Sequence, residues 1–130
     1  MLQQRKKDYL IRLLEELMKK INQMLNKDEQ LTDSQKQDLL KESFEFFNTH
    51  YSTFEYDTAE ELISKIPDVE LLEQYPRLLM MQYDLSIDKN KKDLRKALTI
   101  VEFLQNTDST YSWDRVILRE DILRRLDENN

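Results

Sequence analysis

Leu10-Ile11-Arg12-Leu13-Leu14-Glu15-Glu16-Leu17-Met18-Lys19-Lys20-Ile21-Asn22-Gln23-Met24-Leu25 settles what kind of object this chain is. Leu10, Leu14, Leu17, Ile21 and Met24 recur at intervals of four, three, four and three, one stripe of an α-helix. Ile11, Met18 and Leu25 add a seven-spaced row beside it, which predicts a wide buried face. The same interval admits a seam against a second copy. Only about two heptads are present, so packing within the domain is the simpler use.

Helical periodicity continues downstream. Leu40, Phe44, Phe47 and Tyr51 mark a second helix over about residues 33–48. Thr58-Ala59-Glu60-Glu61 has the form of a capping box and opens a short third helix through Leu62, Ile63 and Ile66, which Pro67 stops. Residues 68–74 read as one or two further turns. Pro76 reads as the first position of the next helix, because a proline there loses no hydrogen bond. That helix, about 76–88, is apolar nearly all round and is predicted to be central. A fifth covers about 91–105 with Leu94, Ala97, Leu98, Val101 and Leu104 on one face, and a sixth covers about 113–127 behind an N-cap at Ser112. The expectation is a single all-α domain, residues 1–130, of about six helices in antiparallel hairpins.

The 130 residues include no glycine, no cysteine and one histidine. Phosphate cradles and dinucleotide-binding turns depend on glycine, which alone accepts positive φ freely and lets a ligand approach the backbone. Helices here must close by other means, and Asn26, Asn48, Asn90 and Asn106 at the expected boundaries are the natural candidates. His50 stands among Phe44, Phe46, Phe47, Tyr51, Phe54 and Tyr56, and reads as the rim of an apolar helix end. Carboxylates pair at Glu15-Glu16 and Glu60-Glu61. Neighbours on a helix point about 100° apart, a poor arrangement for shared acid–base work. No catalytic residue, cofactor or metal site is expected.

Charge is segregated. Residues 1–27 carry seven bases against three acids, residues 28–88 four against fifteen, and residues 89–130 nine against eight. The start lacks an uninterrupted apolar region, so no secretory signal is expected. No apolar run approaches the ~18 residues of a membrane span. Absence of cysteine suits a reducing compartment, and the cytoplasm is the expected location.

Leu94-Arg95-Lys96-Ala97-Leu98 resembles the start of the second helix of a tetratricopeptide-type unit, with Ala97 at its small packing position and Val101 at a large one. No second copy appears at a period near ~34 residues. Lys7-Asp8-Tyr9-Leu10-Ile11-Arg12-Leu13-Leu14-Glu15 resembles the opening of a family of small bacterial all-helical proteins, and Thr110-Tyr111-Ser112-Trp113-Asp114-Arg115 a closing segment of it. The resemblance brings no assigned activity. It directs attention to Tyr9, Arg12, Tyr111, Trp113 and Arg115 as protein-contacting residues. The leading expectation is a non-catalytic interaction or regulatory module with a protein partner or a second copy of itself. The alternative is a nucleic-acid accessory protein using Arg5, Lys6, Lys7, Arg12, Lys19 and Lys20 against phosphates.

Overall fold

The computed structural model describes residues 2–26, 30–108 and 112–128, with residues 2–7 described as helical backbone only. Six helices follow in order: α1 (Leu2–Leu25), α2 (Asp33–Tyr51), α3 (Ala59–Lys65), α4 (Val69–Leu85), α5 (Lys92–Thr107) and α6 (Trp113–Asp127). The class is all-α.

Side-chain caps fix three of the helix starts. Thr32 accepts from the Gln35 N–H while the Gln35 side chain accepts from the Thr32 N–H, and Thr58 and Glu61 repeat this reciprocal box. Ser112 caps α6 through the Arg115 N–H. Each such cap satisfies an otherwise orphaned donor and is worth about 1 kcal/mol. The asparagines do not close helices in the way expected. Asn48 and Asn106 lie inside α2 and α5, and the positive-φ residues among those described are Gln30 (47°) and Ser52 (57°). Ser52 supplies the left-handed turn that ends α2, because α2 runs one turn beyond Asn48.

Pro76 corrects a second expectation. It lies inside α4, which runs unbroken from Val69 to Leu85 and absorbs the separate turns expected at 68–74. Proline has no N–H to give to the carbonyl four residues back. The helix persists because Leu71, Leu72, Tyr75, Leu78 and Leu79 are buried on both sides of Pro76. Tertiary packing outweighs the one bond forgone.

The prediction that this segment is central holds. α4 packs most extensively on α5, and also meets α1, α2 and α6; α1 pairs with α2, α5 with α6, and α3 with α5. Phe44 and Phe47 of α2 meet Tyr75 edge-on at 5.5 and 5.0 Å, and the Tyr51 hydroxyl donates to Asp68 at 2.9 Å, so α2 runs antiparallel to α4. Arg115 reaches Glu73 and Arg125 reaches Asp84, which sets α6 parallel to α4. Leu10 and Leu14 lie beside Val69 while Leu25 lies beside Met80, so α1 also runs parallel to α4. The buried stripe of α1 is Leu13, Leu17, Ile21 and Met24. Ile11 and Leu25 fall outside it and are exposed, so the buried face is narrower than expected.

The loop from Ser52 to Thr58 is held by a buried charge. The Asp57 carboxylate is fully buried, receives Lys65 Nζ at 2.8 and 2.9 Å, and accepts from the Phe54 N–H at 3.0 Å. Burial alone raises a carboxyl pKa, but these donors outweigh it and hold Asp57 below its ordinary value. A depressed folded-state pKa contributes stability that is present above the unfolded value, about 3.9, and lost as pH falls through the folded one. Asp57→Asn is therefore expected to be less stable than the parent at neutral pH, with a difference that shrinks on acidification. Chemical denaturation across the acid range checks this; a difference that does not narrow would refute the assignment.

Candidate interaction surface

The residues singled out from the two ends of the sequence do not form one site. Tyr9 is exposed on the α2 side of α1, where its hydroxyl meets His50 Nδ1 at 3.1 Å. Arg12 and Lys19 are exposed on α1, and Lys20 pairs with Glu16 at 3.2 Å. Tyr111 lies outside the described residues, as do the side chains of Arg5, Lys6 and Lys7.

Arg115 requires a correction. It is 4% exposed, too deeply buried to be a surface contact. Its guanidinium donates to Glu73 at 3.2 Å and to Asp108 at 3.1 Å, with a longer approach to the Leu104 carbonyl at 3.5 Å. The ends of α4, α5 and α6 are joined there. A guanidinium suits such a junction because its planar fork offers several donors in fixed directions.

The aromatic cluster around His50 also divides. Phe44, Phe47, Tyr51 and Tyr75 pack together, while Phe54 and Tyr56 are exposed beyond the end of α2. His50 lies at the exposed rim against Phe46, 4.8 Å between ring centres.

Trp113 behaves in the opposite sense to Arg115. A sole tryptophan in a small domain is usually drawn into the core, yet Trp113 is 68% exposed at the first position of α6. One turn on, Ile117 is 51% exposed, and Leu25 at the end of α1 is 55% exposed. Leu25 and Ile117 line a single hollow of about 170 Å³ with Arg77, Met80, Met81, Asp114, Leu118 and Asp121. α1 and α6 thus form the two walls, and α4 the floor. Tyr83 is buried beside Lys89 and does not line this hollow.

A second hollow, about 370 Å³, lies further along the α1–α4 seam between Leu10, Ile11, Leu14 and Asp68–Leu71. Exposed Ile11 and Val69 border it. Carboxylates dominate the polar lining of both hollows: Asp68, Glu70, Asp114 and Asp121, against Arg77 as the cation. Asp121 is paired with Arg124 and Asp68 with Tyr51. Arg77 Nε is buried and has no hydrogen-bond acceptor among the described residues.

A larger hollow lies elsewhere, between α2, α4 and α5. It has a volume of about 570 Å³, an apolar floor that includes Leu40, Phe44, Tyr75 and Leu79, and a rim with Lys41, Glu45, Asp93 and Lys96. Burial, with the nearby Asp57 charge adding to it, pushes the Tyr75 phenol up to about 12. Its size falls in the ligand-pocket range. Both signs of charge alternate on its rim, so it favours no ligand class.

Among the described residues no helix is long and apolar enough to cross a membrane. No group of three or more His, Asp or Glu side chains converges there as a metal-holding set. No protein-family model matches the sequence, and no curated protein or solved structure shows significant similarity to it.

Proposed function

We propose that this protein is a non-catalytic interaction module of the cytoplasm that docks a protein partner on the face shared by α1, α4 and α6. The observation that carries this reading is the exposure of Leu25 and Ile117 on the walls of one hollow, with exposed Trp113 one turn before Ile117 on α6. Apolar side chains gathered in this way mark contact surfaces far better than scattered ones, and tryptophan is enriched where binding energy concentrates. Parallel helices side by side, each backed by an antiparallel neighbour, also support a resemblance to tetratricopeptide-type arrays, whose inner helices line a binding face.

The test is a pair of exposed substitutions, Leu25→Glu with Ile117→Glu. Neither side chain is needed for the core, so the unfolding free energy is expected to change by less than about 1 kcal/mol. Capture of the protein partner from nuclease-treated host lysate is expected to fall at least about tenfold, the consequence of losing ~1.4 kcal/mol of contact. Undiminished capture by the variant would refute the surface, and recovery of nucleic acid alone from untreated lysate would refute the class of partner. Sedimentation of the purified protein distinguishes a second copy from a foreign partner.

A further inference from the structure

The two hollows on the α1–α4 seam define their occupant more narrowly than the reading above, on which this inference rests. Val69 borders one and Met81 the other. Twelve residues of helix separate them, roughly 18 Å at 1.5 Å per residue. A helical partner laid along the seam would span that distance in about twelve residues of its own, with an apolar side chain for each hollow. A partner strand would need a sheet edge for its backbone bonds, and no strand occurs among the described residues.

Charge selects the sequence of such a helix. Glu70 and Asp114 are exposed at the two hollows, and Asp68 and Asp121 add to the same border. Arg77 lines the hollow at Met81 and is the one cation among the described residues that line the two. We infer that the occupant is an amphipathic helix from another protein, with basic residues flanking its apolar stripe. Lysine or arginine at the flanks would answer Glu70 and Asp114. A second copy of this chain fits less well. The outer side of α1 offers Arg12 and Lys19, but its regular apolar stripe is already spent on the core at Leu13, Leu17 and Ile21.

The experiment is selection of a phage-displayed library of helical 16-residue peptides on the full chain, with Ile117→Glu and Glu70→Lys/Asp114→Lys variants selected in parallel. The expected enrichment is of net-positive amphipathic peptides that bind at least about tenfold tighter than their charge-reversed copies. These peptides should be lost on Ile117→Glu, and the lysine variant should shift the selection toward acidic flanks. The sole tryptophan, Trp113, provides a direct signal, since burial under a peptide should move its emission to shorter wavelength. Peptides that depend on Ile117 but show no basic preference would overturn the charge assignment and leave the interaction surface standing. Failure to enrich any peptide, or enrichment indifferent to Ile117→Glu, would overturn the inference and count against the surface itself.

Discussion

Replacing Arg115 with alanine is expected to lower the unfolding free energy by about 3 kcal/mol. The guanidinium is almost wholly buried between Glu73 and Asp108, whose side chains are largely but not fully shielded from water. Alanine removes the cation and leaves two carboxylates facing each other. Breaking a buried pair from one side costs more than the pair contributes, because the remaining charge keeps its desolvation penalty. The effect belongs at the lower end of that range, since both carboxylates keep some access to solvent. Lysine should recover only part of the loss, having a single charged centre where two carboxylates must be reached. Urea unfolding reads this as a lower midpoint at unchanged slope. A loss below about 1 kcal/mol would mean that both carboxylates rehydrate freely and that the junction is not structural.

Phe47→Ala is expected to cost more, about 3–5 kcal/mol. Phe47 is fully buried and meets Phe46 at 5.5 Å and Tyr75 at 5.0 Å, both edge-on. Truncation forfeits the transfer free energy of the ring and leaves a cavity between α2 and α4 that these rings cannot fill without leaving their edge-to-face geometry. Phe47→Leu keeps most of the volume and is expected to cost roughly 1–2 kcal/mol. Comparable losses for alanine and leucine would show that ring geometry, rather than volume, holds the α2–α4 contact. The same denaturation measurement separates the two.

Elements with local chemical signals were legible in the sequence. The Thr58 box and the Ser112 cap predicted the starts of α3 and α6 correctly, because each is a hydrogen bond closed within three residues. The Thr32–Gln35 box is the same signal at the start of α2, and its pattern stands in the sequence just before Asp33. What depended on tertiary packing was misread. The local preference of Pro76 is for a helix start, whereas burial on both sides carries α4 through it. Asparagine was expected to end α2, but the packing of Phe47 and Tyr51 continues the helix to Ser52. Arg115 departs from the surface role expected of it for a related reason. At the start of a helix two residues apart point in very different directions, and nothing local says which faces the core. The hollows themselves arise where α1 and α6 meet α4 across long sequence separations, and single-sequence periodicity carries no record of that meeting.

The walls of the proposed docking face come from residues 10–25 and 114–121, and they share a surface only because each is seated on α4. No short segment of the chain carries the face alone. An opening event that releases either outer helix erases the surface while the α4–α5 hairpin still stands. On the proposed function, occupancy and fold integrity would be thermodynamically linked, so that a bound partner would protect both outer helices and a destabilised chain would lose recognition before it lost its helices.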